Sequence, residues 1–136
     1  MSDFNTNLIK DLRANQGEAS SGPFVGRPLL ILTTHGAKSG ETRENPLVYT
    51  RAGDDYVVIA SKGGADTNPA WFHNVRANPD VTIEVNGEKI RVRARVPDGG
   101  ERRKLYDTQA AMMPAFAEYE TKTKRQIPVV VLERKS

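Results

Sequence analysis

Residues 81–96 constrain the chain more than any other stretch. Val81, Ile83 and Val85 alternate with Thr82 and Glu84, and Asn86-Gly87 follows. Ile90, Val92, Ala94 and Val96 then alternate with Lys89, Arg91, Arg93 and Arg95. A period of two puts each apolar set on one face of a strand. Asn-Gly supplies the two left-handed positions that a tight hairpin turn requires. Such a hairpin has one apolar face and two open edges, so it needs further strands beside it. Three segments before it and one after it offer them. LLILTT (29–34) reads as a buried strand. A second strand is expected over 45–51, with Pro46 near its start, where a missing N–H is tolerated. YVVIAS (56–61) is the third strand, and QIPVVVLE (126–133) is the last in the chain.

Helical signals are shorter. Phe4, Leu8 and Leu12 recur at helical spacing, with Ser2 or Asp3 as cap, and the narrow stripe implies loose docking. Asn68 reads as a cap with Pro69 in the first turn of a helix that ends at Asn78-Pro79. On that helix Trp71 shares a face with Asn74 or Val75, while Phe72 and His73 turn away. Asp98 and Glu101 resemble a capping box at the head of a helix running to about Met113. Pro114 interrupts it before a further turn or two carrying Phe116 and Tyr119. Six strands with turn-linked neighbours and few helices predict a mainly β (α+β) fold: a small closed or half-closed antiparallel barrel with flanking helices. The boundary expected is a helical N-terminal segment over 1–25 and a barrel domain over 26–136.

Composition removes several kinds of chemistry. The 136 residues fit one domain with a real core. There is no cysteine, which excludes disulfides, thiolate metal sites and cysteine nucleophiles. Two histidines, His35 and His73, are too few for a histidine-rich centre, so no metal is expected. No apolar run approaches the roughly 18 residues of a membrane span. The start, MSDFNTNLIKDLRANQ, lacks the basic-then-apolar order of a signal peptide, and a cytoplasmic location is expected. A net charge of +3 is a mild bias toward anionic partners.

Two glycine-lysine loops and a helix start carry the chemistry on offer. Gly36 to Gly40 (GAKSG) is a basic turn between strands. Its backbone donors and Lys38 suit an anion, although by itself it reads as a basic surface hairpin. Ser61-Lys62-Gly63-Gly64 repeats the combination after another strand, and the helix opening at Pro69 adds the donors of a helix N-terminus. Together these features describe an anion-tolerant pocket.

Their order and spacing resemble the deazaflavin-dependent nitroreductase family of the flavin-binding split-barrel superfamily. The resemblance is carried by Leu30 to Gly40 (LILTTHGAKSG), Arg43, Asn45-Pro46-Leu47, Ala60 to Gly64, Pro69 to Asn74, Ala77-Asn78-Pro79 and Arg125 to Val129. It covers residues 26–133 and implies a six-stranded antiparallel split β-barrel. It also implies hydride transfer from reduced coenzyme F420, an 8-hydroxy-5-deazaflavin, to a small acceptor such as a quinone, an enone or lactone, or a nitro compound. The cofactor tail carries a phosphate and glutamate carboxylates. Lys38, Ser39, Gly40, Arg43 and Lys62 are assigned to that tail. Asn45, Pro46, Ser61, Gly63, Gly64, Pro69, Ala70, Trp71 and Asn74 would surround the ring and its linker. Tyr119 matches a substrate-side tyrosine of the family and is the first candidate for proton donation, with Ser61 and Tyr106 behind it. The acceptor side would use apolar residues such as Met112, Met113 and Phe116. Where the family often carries Arg or Lys, this chain has Ala37, so one tail contact is missing.

Two other readings compete. FMN, as the runner-up cofactor, would use the same cations. A non-catalytic barrel would bind an anionic polymer through the Lys89–Arg95 stripe. That stripe lacks interleaved aromatics and has Glu84 and Glu88 beside it, so it reads as a solvated face and no nucleic acid is expected. Peripheral association with the inner face of a membrane stays open, although Asp3, Asn5 and Asp11 spoil the first helix for anionic lipid. Monomer and homodimer are equally compatible with the sequence.

Overall fold

The computed structural model describes residues 3–135. Asp3–Ala14 forms α1, Leu29–His35 β1, Thr42–Val48 β2, Thr50–Ala52 β3 and Asp55–Ile59 β4. After a 3₁₀ turn at Lys62–Gly64 come α2 (Ala70–Ala77), β5 (Asp80–Val85) and β6 (Glu88–Arg95). α3 (Gly99–Met112), α4 (Ala115–Lys122) and β7 (Val129–Arg134) complete the described chain. All strand pairs are antiparallel, in the order β2-β1-β5-β6-β7-β4-β3.

That order corrects the expected strand count from six to seven. β2 and β3 are separated only by Tyr49, yet they lie at opposite ends of the sheet. The chain therefore crosses from one edge to the other at Tyr49, and the sheet must curl to bring its edges together. One straight strand over 45–51 cannot pair on both edges, so it breaks at the corner. The Tyr49 N–H donates to the Pro28 carbonyl at 3.2 Å. Gln109 of α3 is fully buried; its amide donates to the Val48 carbonyl and accepts from the Thr50 hydroxyl, each at 3.4 Å. Pro46 pairs with Ile31 from β2, an edge strand, where its missing N–H leaves no ladder bond unmade.

Strand alternation divides the apolar side chains between two cores. Leu30 and Leu32 of β1 join Val58, Ile83, Val92 and Leu132, capped by Trp71, Phe72 and Val75 of α2. Leu29 and Ile31 face the other way and join Val57, Ile59, Val129 and Val131 beneath α1, α3 and α4. Each buried aliphatic side chain contributes about 1.5–3 kcal/mol. α1 is not loosely docked: Leu8, Ile9 and Leu12 are all buried, because Ile9 widens the stripe. The cap expected at Ser2 lies outside the described residues, as does the side chain of Asp3.

The hairpin forms in the expected register, with Val85 opposite Glu88 and positive φ at Asn86 (53°) and Gly87 (82°). The helix starts differ from expectation. Pro69 is itself the cap of α2, and Asn68 caps nothing; its Oδ1 accepts from Arg125 at 2.7 Å. Phe72 does not turn away but is buried beside Trp71, since α2 plugs a concave face on two sides. Asp98 caps α3 without a side-chain bond, and Glu101 is drawn instead to Arg95 at 2.7 Å. A guanidinium fork outcompetes one backbone N–H for that carboxylate.

Candidate functional site

A cleft of about 860 Å³ opens between the turn after β1, the strand β2 and the start of α2. Its first wall is the Gly36–Gly40 turn. The Gly36 N–H donates to the Glu41 carbonyl at 2.7 Å, and Gly40 N–H returns to the Gly36 carbonyl at 2.9 Å. Ser39 Oγ accepts from the Glu41 N–H at 3.2 Å. Asn74, reaching from α2, ties the turn down. Its Oδ1 accepts from the Ala37 N–H at 2.9 Å, and its Nδ2 donates to buried Thr34 at 3.0 Å. Among the described hydrogen bonds none uses the N–H of Lys38 or Ser39, so these two remain for an anion.

The second glycine-lysine loop is held by a residue from the far end of the chain, just before β7. Arg125 donates to the carbonyls of Ala65 (2.7 Å), Ser61 (2.9 Å) and Ala60 (3.2 Å), and to Asn68 Oδ1 (2.7 Å). One planar guanidinium thus ties the whole 60–68 loop, a task that its five donors suit. Burial pulls its pKa down, and nearby Asp66 counters that. Gly64 lies against α4: with φ of 85°, a Cβ there would meet Lys122 at 3.1 Å and the Tyr119 carbonyl at 3.2 Å. Lys62 points its ammonium to Thr67 at 3.2 Å and stays exposed at the cleft.

The structure brings Lys38, Ser39, Arg43 and Asn45 together with Lys62, Pro69, Ala70, Trp71 and Asn74 in the lining of this cleft. Trp71 is 5% exposed, so its indole serves core and cleft wall together. Gly40, Pro46, Gly63 and Gly64 lie in the same elements but outside the lining. Ser61 is outside it too, buried, with a hydroxyl that no described hydrogen bond uses. Tyr119 sits on α4 beside the Lys62–Gly64 turn, its ring edge-on to Phe116 at 5.3 Å. Tyr106 is corrected as a proton donor: it is fully buried, donates to the Phe116 carbonyl at 2.6 Å, and burial pushes its pKa up to about 12. Phe116 is core rather than acceptor wall.

Five lining residues had not been assigned: Asn5, Gly36, Ala37, Glu44 and His73. Glu44 was legible from its place between Arg43 and Asn45. Asn5 was not, because nothing local says where α1 docks. A second hollow of about 610 Å³ lies beyond α2, but its Arg102 is spent on the Ile127 carbonyl and its Arg95 on Glu101 and Glu133. On the basic β6 face Arg93 pairs with Asp80 at 3.2 Å, next to the paired Arg95, while Lys89 and Arg91 are exposed with no ion pair among the described residues. No helix among the described residues is long and apolar enough to cross a membrane.

An apolar wall around Trp71, a cationic rim and two free backbone donors fit an aromatic cofactor with an anionic tail. The curled antiparallel sheet has the form of a split β-barrel. The model of the F420H2-dependent quinone reductase family matches residues 7–134. The chain is 40% identical over 113 residues to an F420H2-dependent quinone reductase of Mycobacterium tuberculosis, covering 79% of this chain and 74% of that one. It superposes on a solved F420-H2 dependent reductase with a TM-score of 0.72 at 40% identity, covering 79% and 95% of the two chains. A solved domain-swapped dimer matches with a TM-score of 0.74 at 36% identity, covering 94% and 93%. The chain belongs to the F420H2-dependent quinone reductase family. It is an oxidoreductase that uses reduced coenzyme F420 with a small-molecule acceptor.

Proposed function

We propose that the cleft between the Gly36–Gly40 turn and α2 holds the deazaflavin, with a quinone-type acceptor meeting the ring from the α4 side. The observation that carries this reading is the lining itself, in which Lys38, Arg43 and Lys62 share one space with Trp71, Pro69 and Ala70. When bound, reduced F420 supplies a hydride from its ring carbon. Trp71 and the helix start cover one ring face and exclude water from it. Lys38, Arg43 and the N–H groups of Lys38 and Ser39 hold the phosphate and carboxylates of the tail. Gly40, Ser61, Gly63, Gly64 and Pro46 shape the backbone around it. Tyr119, with Ser61 behind it, delivers a proton from its hydroxyl to the acceptor. A helical segment over 1–25 set against a barrel over 26–136 is the domain division that goes with this reading. A homodimer is its assembly, supported by the domain-swapped dimer that the chain resembles; elution at twice 15.0 kDa tests it.

A fluorescence titration checks the site. F420 is expected to bind at micromolar or tighter levels and FMN far more weakly; the reverse order sinks the assignment. Lys38→Ala should weaken F420 binding about tenfold with Tm nearly unchanged, because an exposed turn lysine makes no core contact. Unchanged affinity would move the tail elsewhere. Tyr119→Phe should lower kcat about 10²-fold and leave F420 affinity intact, as loss of a positioned proton donor does. A loss of affinity instead places Tyr119 against the cofactor.

A further inference from the structure

Among the lining side chains named above, Glu44 is the one carboxylate, and it stands among the cations assigned to the tail. A free carboxylate there opposes a polyanionic ligand. The structure shows what restrains it. Arg13, at the last turn of α1, ion-pairs with Glu44 of β2 and with Glu84 of β5 at 3.0 Å. Its Nε also donates to Glu84 Oε2 at 3.2 Å, so the guanidinium bridges strands on either side of β1. Glu84 is 14% exposed and Glu44 35%, so both pairings are partly shielded from water. The same helix buries Leu8, Ile9 and Leu12 and brings Asn5 into the cleft lining.

We infer that Arg13 is a positioning residue for cofactor binding: it holds the Glu44 carboxylate neutralised and turned toward α1, so that the cleft stays cationic toward the tail. This rests on the cofactor reading of the cleft. Docking of α1 and affinity for a polyanion are thereby coupled through one guanidinium. A like charge within several ångströms of an anionic ligand at a partly shielded site lowers affinity by about tenfold.

The test is a double-mutant cycle read by F420 fluorescence titration, with a thermal melt for each variant. Arg13→Gln is expected to raise the Kd about tenfold, and more so at low salt than at high. Adding Glu44→Gln in the same chain should bring the Kd back to within about twofold of wild type, since the opposing charge is gone. Glu44→Gln alone should match or exceed wild-type affinity, although it too breaks the ion pair. If Arg13 only fastens α1, Glu44→Gln weakens binding and the double variant is no better than Arg13→Gln; that result overturns the proposal. Unchanged affinity in Arg13→Gln overturns it as well. If Arg13→Gln fails to fold, the Glu44→Gln titration decides alone. Lys38→Ala separates the two levels: if it leaves F420 affinity unchanged, the cofactor reading has failed, whereas a normal Lys38 effect with no Arg13 effect removes only this inference.

Discussion

Arg125→Ala should destabilise the protein by about 3 kcal/mol and abolish tight F420 binding. The guanidinium is partly buried and donates to three carbonyls and one side-chain amide. Hydrogen bonds from a charged donor contribute about 1.5–3 kcal/mol each, but those made by one group are not additive, and solvent contact reduces them. Removal leaves the carbonyls of Ala60, Ser61 and Ala65 without that donor and frees a loop with positive φ at Lys62 (48°), Gly63 (65°) and Gly64 (85°). Thermal melting should show a Tm lower by roughly 10 °C. Arg125→Lys should recover little, because an ammonium cannot span four acceptors in one plane. A variant that melts like wild type and still binds F420 would show that the loop is held by other contacts.

Asn74→Ala is the second large effect. Asn74 is 6% exposed and joins buried Thr34 to the Ala37 N–H. Alanine leaves both groups unpaired at the base of the turn, which costs about 2 kcal/mol. The larger consequence is functional. Without that anchor the Gly36–Gly40 turn no longer presents Lys38 and its free N–H groups in one arrangement, so F420 affinity should fall by more than tenfold. Ser39→Ala is the control: it loses only the Glu41 N–H contact, made at the exposed tip of the turn, and should hardly change Tm. Equal Tm losses in the two variants would contradict the anchoring role.

Much of the scaffold was legible because it is local. Alternation over 81–96 with Asn86-Gly87 dictates a hairpin, and it forms in that register. LLILTT places Leu30 and Leu32 on one face and Leu29 and Ile31 on the other, and each set found its own core. The two glycine-lysine loops and the Pro69–Asn74 helix start pointed to one pocket, and most of their assigned residues meet in one cleft. Capping was less legible. Asn68, Asp98 and Glu101 all have local uses, but Arg125, far along the chain, took Asn68, and Arg95, on the preceding strand, took Glu101.

The sequence by itself determined the strand faces, the hairpin, the basic loops and the family, because each rests on residue type at short spacing. Only the tertiary structure decided that the second strand breaks at Tyr49 to close the sheet, that α1 borders the cleft, and where Arg13 and Arg125 spend their charge. Arg125 reaches partners 57 to 65 residues away, and Arg13 reaches Glu84 across 71. Many carboxylates and carbonyls compete for each guanidinium in the extended chain. Collapse of the two cores selects among them, since burial both brings the partners together and penalises every group left unpaired.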